Sequence, residues 1–342
     1  MPLRLVDYVR RVQSLVHDFT ESAWSRREML ERINDARRDV ARDCQCVRSL
    51  VDGVQLMPFH ERYHYDGAVV GARITDPGAG YTSSVVPVMF GPPSPGGVQA
   101  EGFAQVQNLG SDGHLVNIVG PGPEPGMGSV PPLSPGLAPW LHERPGPNTI
   151  RAVFMTQWGR AYTQVPTIII GPPDDPAGRQ ATAEAIVLFN VFNVLSISPL
   201  WNTLRYTMSY APFSRYQNWG RALQAQGFTS RPGMWTIDQA VDQLVYMQPT
   251  PDQVYFSEWR VVGHPHPLVG LNDLDLEITE PWTDAVQFKA ASWLLMKHQN
   301  FGQAEYYERK YDAYVPRIVA GAGGVRIPNP YSKSMYEKMR RM

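Results

Sequence analysis

The feature that most constrains this chain is a duplication. The stretch Ile74–Pro93, ITDPGAGYTSSVVPVMFGPP, returns as Trp158–Pro173, WGRAYTQVPTIIIGPP. Tyr81-Thr82 aligns with Tyr162-Thr163, Pro87 with Pro166 after a two-residue slip, and Gly91-Pro92-Pro93 with Gly171-Pro172-Pro173. Downstream, Gln99-Ala100 aligns with Gln180-Ala181, Ala104 with Ala185 and Val106 with Val187. Each copy predicts a turn, a strand (VVPVMF or TIII), a Gly/Pro turn and a second strand (VQAEGFAQV or QATAEAIV). Alternating alanines put small side chains on one face, where another layer can approach. One hairpin cannot bury its own apolar face, so two copies imply a pseudo-symmetric pair packed together. The whole stretch from Arg73 to about Asn190 has strand-and-turn composition, and GPPSPGG and GPGPEPGMGSVPPLSPG cannot be helix interior.

The flanks are different. Leu5, Val9, Val12, Val16 and Phe19 recur at helical spacing. Ser25 followed by Glu28 predicts a capping box, and Met29, Ile33, Ala36 and Val40 stripe the helix it opens. Residues 3–48 thus form two helices. Later, a helix is expected in the second part of SPLWNTLRYTMSYAPFSRYQNWGRALQAQ. TIDQAVDQLVYM predicts another, with Thr236 as N-cap and Gln239 completing its box. DQVYFSEWRVVG and LNDLDLEITE predict strands. Glu280-Pro281 opens an apolar helix through Ala285, Phe288, Ser292 and Leu295. A last helix carries Tyr307, Tyr311 and Tyr314, a packing face rather than a base-stacking one. GAGG at Gly321 lacks dinucleotide-binding context and is expected to act as a hinge.

The fold class this implies is α+β. A helical body, a hairpin plus long C-terminal helices with short strands, comes from residues 1–73 and 191–320. An antiparallel β-rich repeat domain is inserted at 74–190, and an extended C-terminal arm follows at 321–342. Insertion at an exposed loop costs little.

Composition narrows function. The chain of 342 residues has a net charge of -1, so no global pull toward nucleic acid is implied. Its two cysteines, Cys44 and Cys46, are badly placed on a helix to pair and have no partner pair at zinc spacing. No signal peptide or membrane span is expected. His60 and His64, and His264 and His266 in GHPHP, read as loop and rigid turn rather than metal ligands. H-E-x-x-H, G-x-S-x-G and P-loop motifs are lacking. No catalytic residue, cofactor or metal is assigned.

Two clusters stand out. Asp273, Asp275 and Glu277 would share one face of the LNDLDLEITE strand. They suit a charged edge strand, a calcium or acid–base site, or a negative wall along which a polyanion slides. The segment 326–342 carries Arg326, Lys333, Lys338, Arg340 and Arg341 against Glu337 alone. Its apolar anchors Ile327, Tyr331, Met335, Tyr336 and Met339 are interface composition, so a docking arm is favoured over a solvating or nucleic-acid-binding tail.

The layout resembles the head-to-tail adaptor (connector) proteins of tailed bacteriophages. The resemblance lies in LRLVDYVRRVQSLVHD, SRREMLERINDARRDVARD, DAVQFKAASWLLMKHQNFGQAEYYERKYDAYV and IPNPYSKSMYEKMRRM, and covers about half of the chain. The repeat is similar to β modules of phage tail and baseplate proteins, and so large an insert departs from the small adaptors. The resemblance implies a homo-oligomeric ring of twelve copies at the head-to-tail interface of the virion, assembled in the host cytoplasm. Its partners would be the portal ring, a downstream tail or nozzle protein, and DNA passing through without sequence-specific contact. Arg326, Ile327, Tyr331, Met335, Tyr336, Met339, Arg340 and Arg341 would dock the portal. Asp273, Asp275 and Glu277 would face the channel or the next ring. Two alternatives remain: a β-type tail or receptor-binding module, and a carbohydrate-active enzyme using Asp275 and Glu277, spaced ~6–7 Å along a strand.

Overall fold

The computed structural model describes residues 2–107, 148–201, 204–224, 228–238 and 244–323. In chain order the elements begin with α1 (Leu5–Val16), α2 (Arg26–Cys44), β1 (Arg48–Leu56), β2 (Arg62–His64), β3 (Ala68–Asp76), β4 (Val85–Phe90) and β5 (Glu101–Gln107). Next come β6 (Thr149–Gln157), β7 (Ile168–Ile170), β8 (Thr182–Leu188), β9 (Val191–Trp201), β10 (Leu204–Arg205), β11 (Ser209–Tyr210) and α3 (Phe213–Gln224). The last are β12 (Met234–Asp238), β13 (Leu244–Gln248), β14 (Tyr255–Gly263), α4 (Thr283–Lys297) and α5 (Phe301–Gly323). The architecture is mixed α+β, with terminal helices flanking a multi-sheet β region.

The chain parts into two compact units, one built from both chain ends up to Val47 and from His264, the other Arg48–Gly263. The expected boundaries lay at 73/74 and 190/191. The difference has a plain cause: β1 and β9 both pair with β14, so the residues flanking the duplication are strands of the β unit. Arg48 sits opposite Val262, which brings the two ends of this unit side by side.

In the helical unit, the predicted stripes are buried: Leu5, Val9, Val12 and Val16 of α1, and Met29, Ile33, Ala36 and Val40 of α2. Ser25 accepts the Glu28 N–H at 3.3 Å, capping α2. The α1 stripe stops at Val16 because His17 turns left-handed (φ 57), so Phe19 lies past the helix and is exposed. The small side chains Ala285, Ala290, Ala291 and Ser292 let α4 be buried on more than one side. The α5 tyrosines pack as expected. Tyr307 donates to the Leu15 carbonyl, Tyr311 to Asp43 and Tyr314 to Asp284. α5 continues to Gly323, so the hinge expected at Gly321 falls within helix.

In the β unit, strands order as β1-β14-β9-β10, β11-β12-β13-β2, β3-β8 and β6-β5-β4-β7. Thr236 does not cap a helix. It lies in β12, which pairs antiparallel with β13 from Met234↔Gln248 to Asp238↔Leu244. The helical period there was short, and burial of Trp235, Val245 and Met247 in the sheet overrode it.

The duplication folds as a reciprocal exchange. The second strand of each copy pairs with the leading strand of the other: β8 with β3, and β5 with β6. Tyr81 accepts the Ala181 N–H at 2.9 Å and donates to the Gly171 carbonyl at 3.2 Å. Tyr162 does the same to the first copy, with Ala100 N–H at 3.1 Å and the Gly91 carbonyl at 3.1 Å. The backbones follow suit: Tyr81 N–H donates to Asn148 and Tyr162 N–H to Gly67, each at 3.0 or 2.9 Å. Gly67 (φ 59) and Asn148 (φ 60) share a left-handed conformation, as do Gly80 (φ 86) and Ala161 (φ 62). Each copy therefore satisfies the buried polar groups of the other.

Candidate docking site in the helical unit

The predicted acidic strand is not a strand. Residues 264–282 run as a loop, with an isolated bridge joining Arg4 and Leu274. Its residues do not sort into the two expected faces: Asp273 is exposed and Ile278 is buried, but the middle of the stretch is inverted. Asp275 is wholly buried, whereas Leu274 and Leu276 are 49% and 72% exposed. A lone carboxylate would not be buried at the expense of two leucines. The reason is Arg37.

Arg37 sits on the apolar stripe of α2, one turn after Ile33, and is itself 1% exposed. Its guanidinium grips Asp275 with two parallel bonds, Nε and Nη2 each at 2.8 Å. Nη1 donates to the His266 carbonyl at 2.7 Å and to Asn34 Oδ1 at 3.3 Å. Asp275 also accepts the Tyr8 hydroxyl at 3.1 Å and the Ile278 N–H at 3.0 Å. Burial, then the neighbouring Asp275 carboxylate, push the Tyr8 hydroxyl well above its usual range, so it remains a donor. A planar fork meeting a carboxylate is the geometry in which a buried pair is tolerated.

The rest of the loop is strapped to the same core. Asn34 clamps Leu268 from both sides, donating to its carbonyl and accepting its N–H, each at 3.0 Å. Asp273 accepts the Val269 and Gly270 N–H groups at 3.0 and 2.7 Å, which hold its carboxyl below the usual range. Leu5 and Asp275 exchange backbone bonds with Asp273 and Leu3 across the start of α1. Glu277 takes the His266 backbone N–H and ring Nδ1, both at 2.7 Å.

The three predicted acids thus have three structural tasks. Asp275 cannot line a channel or attack a substrate, because it is buried and its oxygens are occupied. The loop exposes three apolar side chains, Val269 at 78%, Leu274 and Leu276, beside the polar Asn272 and Asp273. Nearby in this unit, α2 and α4 border an open cavity of about 470 Å³. There Arg32 pairs with Asp35 and Arg42 with Asp39, while Trp293 and the half-exposed Met296 supply apolar surface. Desolvation raises the Asp39 carboxyl despite Arg42.

The sequence-predicted arm residues Arg326, Ile327, Tyr331, Met335, Tyr336, Met339, Arg340 and Arg341 lie outside the described residues. The residue that sequence reasoning missed is Arg37. Its sign was available, since a charged side chain stood on the Met29–Ile33–Ala41 face of an otherwise apolar stripe. Among the described residues no cluster of His, Cys, Asp and Glu is arranged to hold a metal ion. No protein-family model matches this chain, and no curated protein matches it either.

Proposed function

We propose that this protein is a structural virion component, a head-to-tail adaptor whose copies form a ring between the portal and the tail. The observation that carries the reading is the pair of exposed leucines flanking buried Asp275. Exposed apolar side chains on a loop held rigid from beneath by Arg37–Asp275 favour a protein partner, because preorganised apolar surface binds at low entropic cost. The basic segment 326–342 follows α5 in sequence, and its mix of basic and apolar side chains supports assigning it as the portal-docking arm. In this reading Val269, Leu274 and Leu276 contact a neighbouring copy. Asp273 and Glu277, but not Asp275, remain candidates for the channel or next-ring face. The ring, of twelve copies in the resembled family, passes DNA without reading its sequence.

The test is direct. Mass photometry and negative-stain microscopy of the purified chain, alone and with its portal, should show rings or ring-on-portal particles. The double change Leu274→Asp with Leu276→Asp should abolish them while leaving circular dichroism unchanged. A chain that stays monomeric and never binds portal ends the proposal.

A further inference from the structure

The two copies of the duplicated unit are unequal at one turn, and that turn lines a cavity. At the constant offset from Tyr81 to Tyr162, the first copy's Asp76-Pro77-Gly78-Ala79 corresponds to Gln157-Trp158-Gly159-Arg160. In the first copy, Asp76 neutralises Arg179 at 2.8 Å. In the second, an amide replaces that carboxylate and an arginine replaces the alanine. Arg160 is exposed and makes no ion pair among the described residues.

Arg160 and Gln157 open onto a cavity of about 330 Å³ in the β unit. From its other side come His60, Arg62 and His64, with no carboxylate among the described lining residues. Arg62 rests over the Tyr246 ring at 5.6 Å and makes no ion pair among the described residues. His60 donates Nδ1–H to the Pro58 carbonyl at 2.9 Å, so Nε2 of the neutral ring is an acceptor, suited to a hydroxyl. Glu61 accepts the Tyr216 hydroxyl, and Glu101, opposite Gln157 in the sheet, is exposed and outside the lining. The floor is fixed: Trp158 donates to the Gln55 carbonyl at 2.9 Å and meets Tyr63 edge-on at 4.8 Å.

Two arginines that line one cavity and make no ion pair among the described residues favour an oxyanion, which arginine can take bidentately. The volume is at the small end of ligand cavities, about 300–1,000 Å³, yet larger than a bare anion needs. Thr156 and Gln157 add donors and acceptors suited to hydroxyls. We propose that this cavity binds an anionic saccharide, a sugar carrying a phosphate or carboxylate, through Arg160 and Arg62. The proposal concerns the β unit and does not rest on the ring.

Isothermal titration of the full chain at low ionic strength tests it, with glucose 6-phosphate, glucuronate, inorganic phosphate and glucose as probes. Both acidic sugars should bind, more tightly than inorganic phosphate, and glucose should not bind. Gln157→Asp restores the carboxylate that the first copy already tolerates. It and Arg160→Gln should each weaken binding on the order of tenfold, the loss expected for a charged hydrogen bond. Arg179→Gln, at the other copy's turn, should leave affinity unchanged, and thermal melts of all three should match the parent. Failure of both acidic sugars to bind, or equal effects of Arg160→Gln and Arg179→Gln, overturns the site. Equal affinity for inorganic phosphate and glucose 6-phosphate overturns the saccharide assignment.

Discussion

Arg37 and Asp275 place two charges where neither would be stable alone. Arg37→Met strands a buried carboxylate and should cost about 3–5 kcal/mol in urea denaturation. Tyr8→Phe removes one donor of several and should cost only about 1 kcal/mol. If both variants lose the same stability, Arg37 is not what keeps Asp275 inside. A second residue-scale device lies in the duplication. Asp174 is held down to about 2 by the backbone N–H and hydroxyl groups of Ser83 and Thr82. Its folded value is depressed, so its contribution is complete above its ordinary value of 3.8 and fades as pH falls toward 2. Asp174→Asn should therefore lower the melting temperature at pH 7, with the gap to the parent closing between pH 4 and pH 2. A gap constant across that range would refute the assignment.

At the scale of elements, the exchange of strands explains why both copies are needed: each tyrosine clamps the Gly-Pro-Pro turn of the other. The paired left-handed positions allow an internal control. Gly80→Ala would place a Cβ 2.9 Å from the Gly178 Cα at positive φ and should destabilise by at least about 1–2 kcal/mol. Ala161→Gly, at the equivalent position, relieves the same conformation and should be neutral or stabilising by up to about 1 kcal/mol. Chemical denaturation of the two variants reads the difference, and equal losses would contradict the pseudo-symmetry.

At the scale of the molecule, the two units have separate apolar cores, and the β unit begins and ends on neighbouring positions of β1 and β14. Adjacent ends are what an insertion needs. Residues 48–263 expressed alone should fold with a cooperative thermal transition and β-type circular dichroism. Residues 1–47 joined to 264–342 by a short glycine linker should give a helical spectrum. Failure of the β fragment to fold would mean that its core depends on the helical unit.

The sequence by itself determined the terminal helices, the Ser25 cap, the packing tyrosines and the existence of two matched β copies, because these rest on local periodicity and turn chemistry. It did not determine that the second strand of each copy would also pair with the leading strand of the other, since Gly, Pro and alternating apolar residues are equally satisfied by the β4–β5 hairpin alone. It could not place β12, where a few residues fit either period. Nor could it orient Asp273, Asp275 and Glu277. Alternation alone put the leucines inward, and only the tertiary arrival of Arg37 beneath the loop made it favourable to bury the carboxylate and leave the leucines in water.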